Sequence, residues 1–192
     1  MQPVREYART YLELERTAAT ISIHRGELIH GALQTEAYAR ALLASGPSDF
    51  SPAEIDQMAV DRARRIDRFT GDRANMWVVL GEAALHRPVG GREAHLEQIG
   101  HLLQVAEFPQ VTLQILPFSS GAYGALGRDF TILDLVDPQL TVVYVEAFTD
   151  ALYRDAAEDI ERYRVAFTKA QVAAASERES LRILEARLRD IG

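Results

Sequence analysis

The groups in this sequence best equipped to move protons or hold a ligand near neutral pH are its five histidines and two carboxylates that follow apolar runs. His24 and His30 lie in the glycine-containing stretch SIHRGELIHGALQ, residues 22–34, with Glu27 between them. Glu82 and Glu146 each stand directly after a strand-like run, where a carboxylate can reach into a cleft and burial raises its pKa. Gln34 closes the histidine stretch, and Tyr123 sits among Gly121, Gly124 and Gly127. Such a cluster can keep one group charged and another neutral near pH 7, as ligand recognition and acid–base catalysis both require. His24, His30, Gln34, Glu82, Tyr123 and Glu146 are therefore the candidate ligand-binding residues. Were the chain an enzyme, His24, His30, Glu82 and Glu146 would be its catalytic candidates.

Other chemistries find less support. With no cysteine, disulfides, thiolate metal sites and thiol nucleophiles are excluded. His95 and His101 lie six apart, about 240° around a helix, so they do not share a face. No HExxH occurs, and the expectation is neither metal nor cofactor. The glycine loop lies between strands and opens no helix, so it lacks the N-terminus that holds a phosphate; it reads as a hairpin loop or pocket lid. Ser119 and Ser120 form no GxSxG elbow. The net charge is −7, and the basic run Arg62, Arg64, Arg65, Arg68 and Arg73 is interspersed with Asp61, Asp67 and Asp72. Mixed runs of that kind read as solvated helix faces, so direct DNA binding is not expected.

The elements that must position these groups follow from periodicity. Val4, Tyr7, Tyr11, Leu14, Ala18 and Ile21 predict one face of a helix, with Pro3 in its first turn. Residues 22–34 read as a connecting loop, followed by a short helix N-capped by Thr35 and running through Leu43, which the SGPSD segment ends. Ser51-Pro52-Ala53-Glu54 is a capping box opening a helix to about Phe69. Strands are expected at Met76–Leu80, Val111–Leu116, Phe130–Leu135 and Leu140–Val145, with Asp137-Pro138 turning the chain between the last two. Helices are expected at about 92–107, 156–174 and 177–190, the last behind a second capping box, Ser176 to Glu179. Trp77, Val79, Leu113, Ile115, Ile132, Leu133, Val143 and Val145 are the expected core. The expected fold is α+β: a single domain over 1–192, with a small, mainly antiparallel sheet in the middle and helices at both ends.

Hydrophobic residues make up 47% and charged residues 26%, the balance of a globular protein, and no apolar stretch is long enough to span a bilayer. The charged opening MQPVREYARTYLELER has no signal core, which places the chain in the cytoplasm.

Six collinear segments carry a resemblance: YLELE at 11–15, LIHGALQTEAYARALL at 28–43, WVVLGEAALHRPVGG at 77–91, VTLQILPFSSGAYG at 111–124, FTILDL at 130–135 and VVYVEAFTDALY at 142–153. Together they resemble the C-terminal domain, of unknown function, of actinobacterial XRE-type helix-turn-helix regulators. Some of these are antitoxin-like and encoded beside a small partner protein. The resemblance implies a domain that senses a small molecule or a small partner protein and supplies subunit contacts, with a homodimer among its assemblies. DNA reading would belong to an N-terminal domain, whereas Met1 here stands at the helix that follows such a domain. His24 near the family's tryptophan segment, His30 in place of proline, His86 in place of arginine and Gly81 in place of aspartate depart from the family pattern. Imidazoles at these places add hydrogen-bonding and proton-transfer capacity. The sequence thus supports two functions: a ligand- or partner-sensing regulatory domain, or a free-standing, cofactor-independent acid–base enzyme (cyclase, dehydratase or isomerase) of small-molecule biosynthesis.

Overall fold

The computed structural model describes residues 6–46, 50–71 and 74–192, and side chains from residue 8 onward. Pro3, Val4, the Tyr7 side chain, Pro47–Asp49, Asp72 and Arg73 lie outside the described residues. The element order is α1 (Glu6–Thr17), β1 (Ala18–Arg25), α2 (Glu36–Ser45), α3 (Pro52–Ala63), β2 (Asn75–Gly81), α4 (Ala83–His86), α5 (Gly91–Val105), β3 (Val111–Leu116), β4 (Phe130–Leu135), β5 (Leu140–Glu146), β6 (Ala151–Arg154), α6 (Ala157–Ala173) and α7 (Glu177–Ile191). A 3-10 segment, Arg64–Phe69, prolongs α3, and a shorter one spans Gly31–Leu33.

The strands form one six-stranded sheet in the order β3-β2-β1-β4-β5-β6. β1 runs parallel to β2, and β2 to β3; β1–β4, β4–β5 and β5–β6 pair antiparallel. The fold is therefore α+β with helices at both ends, but the expectation of a small, mainly antiparallel sheet is corrected: the sheet is large and mixed. The difference originates in β1. Ala18 and Ile21 continue the three- and four-residue spacing of α1, which imitates helix. Residues 18–25 instead alternate as a strand, with Ile21 and Ile23 buried on one face and Ser22 and His24 on the other. That strand sits at the centre of the sheet. Its parallel pairing with β2 requires a long crossover, which α2 and α3 provide, and α4 and α5 carry the next one to β3. The reading of 22–34 as a loop holds only beyond Arg25.

The local signals that did not depend on tertiary context appear as expected. Ser51 Oγ accepts from the Glu54 N–H, and the Glu54 carboxylate accepts in turn from the Ser51 N–H, closing the capping box of α3. At the start of α7 Ser176 accepts from Glu179 N–H, but the expected second capping box is only half formed, because the Glu179 carboxylate pairs with Arg182.

Two apolar layers flank the sheet. The larger packs α1, α5 and α7 over Ile21, Ile23, Met76, Val78, Leu80, Leu113, Ile115 and Leu133. The smaller packs Phe167 and Ala170 of α6 against Val79, Phe130, Ile132 and Val143. Of the eight expected core residues, Val145 is half-buried against the smaller layer and Trp77 departs furthest, sharing a face with Val79 yet remaining 44% exposed. Ile115 is fully buried, and its N–H donates to Ser180 Oγ of α7 at 2.8 Å. Ile115→Ala is expected to destabilise the protein by about 2–5 kcal/mol; a denaturant midpoint equal to that of the parent would contradict this placement.

Candidate functional site

A cleft of about 810 Å³ opens beside the carboxyl ends of β1 and β5, walled by α1, the segment after β1, α2, α3 with its 3-10 extension, and the β5–β6 turn. Its floor is a chain of hydrogen bonds. Tyr11 and Glu15, one turn apart on α1, meet His30 from the segment after β1 and Arg65 from the 3-10 extension. The Tyr11 O–H donates to Glu15 Oε2 at 2.6 Å, and His30 Nε2 stands 2.7 Å from the Tyr11 oxygen. The Ala32 N–H donates to His30 Nδ1 at 3.3 Å, which assigns the hydrogen to Nε2 and makes that nitrogen the donor to Tyr11. Arg65 Nε donates to Glu15 Oε1 at 2.7 Å, and its Nη2 bonds the other carboxylate oxygen, a bidentate pair. Tyr11, Glu15 and His30 are each no more than 6% exposed.

Burial sets the protonation states. It pushes the His30 pKa well below the usual imidazole value, reinforced by the charges of Arg25, Arg65 and Arg62. It raises the Tyr11 phenol well above its ordinary value, with Glu15 adding to the shift. Burial opposes the Arg65 cation, but the Glu15 carboxylate outweighs it and the pKa is raised. Near neutral pH His30 is thus a neutral imidazole and Tyr11 a phenol. Space is also part of the arrangement: a Cβ on Gly31 would lie 2.5 Å from Arg65 Nη1, so glycine lets the guanidinium reach Glu15.

Three expected site residues border this cleft. His30 is in its floor and Glu146 at its exposed rim, while Gln34 bridges two walls. The Gln34 amide donates to Ile29 O at 2.7 Å, and its oxygen accepts from Arg62 Nη1 at 3.1 Å.

The others lie elsewhere. His24 points to the opposite sheet face, as alternation along β1 demands. Its Nδ1–H donates to Arg128 O at 2.7 Å, Nε2 accepts from the Tyr123 hydroxyl at 3.1 Å, and the ring stacks on Phe130. His24 and Tyr123 thereby fasten the glycine-rich loop onto the sheet beneath α6. Glu82 joins the ends of β2 and β3: its Oε2 accepts from Phe118 N–H at 2.7 Å, and Oε1 lies 3.5 Å from His86 Nε2. Gly81, where the resemblance expects aspartate, has no room for a side chain, because a Cβ there would stand 2.3 Å from Gly26 O. The six candidates therefore fall in three places, and only His30, Gln34 and Glu146 share the cleft. No group of three or more His, Asp or Glu among the described residues is placed to hold a metal ion.

Sequence reasoning missed Tyr11, Glu15, Arg25, Arg62, Arg65 and Arg68. The signal was present in the spacing: Arg62 lies in the last turn of α3, and Arg65 and Arg68 follow at three-residue steps, the last two on one side of the 3-10 segment. All three border the cleft, so this part of the basic run is not a solvated face.

None of the curated proteins compared matches the chain. A family model described as "Domain of unknown function (DUF5753)" matches residues 8–186, which takes in the cleft, the whole sheet and most of α7. On that match, the chain belongs to the DUF5753 domain family.

Proposed function

We propose that this domain is a ligand sensor, the effector part of an XRE-type transcriptional regulator, with DNA reading carried by a separate element. The observation that carries the reading is the cleft itself: roomy, open, largely apolar, and floored by hydrogen-bonded polar groups. Ligand sites are concave and mostly apolar, with a few placed polar groups. The acid–base alternative needs a group free to take a proton from a substrate. His30 spends both ring nitrogens on Tyr11 and Ala32, and His24 spends both on Arg128 and Tyr123. Glu82 accepts from Phe118 N–H away from the cleft, which leaves Glu146 at the rim without a second catalytic candidate to work with, so binding is better supported than turnover.

The cleft also touches α1, so a ligand seated there contacts the first helix and the body of the domain together. A bound ligand can bias the position of α1 only through a difference in affinity between two arrangements. Small-molecule recognition is the form of sensing this cleft supports; a partner protein would need a broader surface.

A thermal-shift screen against a metabolite library tests the reading. Leu28, 36% exposed at the cleft wall, is replaced by tryptophan to narrow the opening. Compounds are expected to raise the Tm of the parent and to lose that effect on Leu28→Trp. A library in which no stabilising compound responds to Leu28→Trp would overturn it.

A further inference from the structure

We propose that the cleft takes an amphiphilic anion, an oxyanion head held by Arg25 and Arg62 with an apolar body along the wall formed by Leu12, Leu28, Leu43 and Met58. This rests on the reading of the cleft as a ligand site, and it names the class of ligand.

The charges inside the cleft point to an anion. Arg25 donates to His24 O, Phe130 O and Thr131 Oγ1, and Arg62 to Gln34 Oε1. All of these acceptors are neutral. Among the described residues neither guanidinium has a carboxylate oxygen within 4.0 Å. Arg65, by contrast, is neutralised by Glu15. Arg25 and Arg62 both line this cleft together with His30, whose ring their charges disfavour protonating.

Burial, with Arg65 beside it, brings the Arg62 pKa down to about 10, which marks a cation short of counter-charge. Arg68 adds a buried Nη1 without a hydrogen-bond partner on the same wall. The acids bordering the cleft are mostly committed. Glu15 holds Arg65 and Tyr11, Asp129 accepts from Gly26 N–H at 2.8 Å, and Asp61 accepts from the Gln57 amide at 2.9 Å. Glu146, at the exposed rim, is the acid facing Arg62 and tempers its charge. A chain of net charge −7 has thus gathered six arginines and four acids around one cleft. A guanidinium pair lacking a carboxylate suits a planar or tetrahedral oxyanion, which accepts two hydrogen bonds from each fork.

The probes are decanoate, decyl phosphate, decanol and decylammonium, titrated calorimetrically below their micelle concentrations. One or both anions are expected to bind at one site. Decanol should bind roughly 10- to 100-fold more weakly, as loss of charged hydrogen bonds implies. Arg62→Gln should weaken the anions by a similar factor and leave decanol unchanged. Added salt should weaken the anions alone, a readout on the parent protein that stands even where the variant fails to fold. The tighter of the two anions identifies the head as carboxylate or phosphate.

Decanol binding as tightly as decanoate, or decylammonium binding tightest and losing its site in Glu146→Gln, would overturn the inference while leaving the cleft a ligand site. The inference fails equally if library compounds occupy the cleft and neither anion does. Absence of any cleft-dependent binder overturns the underlying reading instead.

Discussion

Replacing Glu15 by alanine will destabilise the protein by about 3 kcal/mol or more, the range for removing one partner of a buried ion pair. The Glu15 side chain is 6% exposed and that of Arg65 17%. Removing the carboxylate strands the guanidinium against the Tyr11 ring and takes away the acceptor of the Tyr11 hydroxyl. The pair itself adds little net stability, because desolvation offsets much of its attraction. Glu15→Met combined with Arg65→Met should therefore be less damaging than Glu15→Ala alone. Urea denaturation of the parent and both variants measures this. A Glu15→Ala protein within about 0.5 kcal/mol of the parent, as expected of an ordinary surface site, would show that the floor of the cleft is misassigned.

Acid will destabilise the protein from about pH 6.5 downward, before its carboxylates titrate. Burial lowers the pKa of His24, His30, His95 and His101 below the usual imidazole value, His30 by the most. Between the lowered and the ordinary value, the unfolded chain binds a proton that the folded chain refuses. Stability is then complete above the ordinary value and declines as pH falls toward the folded one, where the decline stops. Each such histidine contributes a slope of up to about 1.4 kcal/mol per pH unit. At His30 the cause is visible: a proton on Nδ1 would face the Ala32 N–H, with Arg25, Arg62 and Arg65 nearby. His30→Gln should flatten the slope between pH 7 and 5 by as much as one proton. Equal slopes in variant and parent would contradict a neutral, buried His30.

What the amino-acid sequence made legible was local. The N-caps Thr35, Ser51 and Ser176, the strands at 111–116 and 130–135 and the last two helices needed only short-range signals, and they appear where expected. The central strand was hidden because Ala18 and Ile21 extend the spacing of α1 and no turn residue separates the two elements. With β1 unseen, the parallel half of the sheet could not be inferred. β6 is four residues long and follows the exposed Phe148 turn, too short for alternation to speak.

The site divided in the same manner. His30, Gln34 and Glu146 were found by residue type, yet the face on which His24 lies is decided by a strand that periodicity concealed. Tyr11 read only as one position on the face of the first helix; that its hydroxyl links His30 to Glu15 depends on a contact across 19 residues. The arginines read as a solvated run because interspersed aspartates are the mark of one, whereas the end of α3 and its 3-10 extension turn Arg62, Arg65 and Arg68 toward the cleft.

If the cleft, through Arg25 and Arg62, is where this domain meets its ligand, the two guanidinium groups must sense an anion directly. Nitrogen-15 NMR of the arginine Nε–Hε groups during titration with decanoate tests this most directly. Saturable shifts are expected at Arg25 and Arg62, with Arg162 and Arg182 on the exposed faces of α6 and α7 unmoved. Resonances of Arg25 and Arg62 that stay fixed while decanoate binds, or that move no more than those of Arg162 and Arg182, would contradict it.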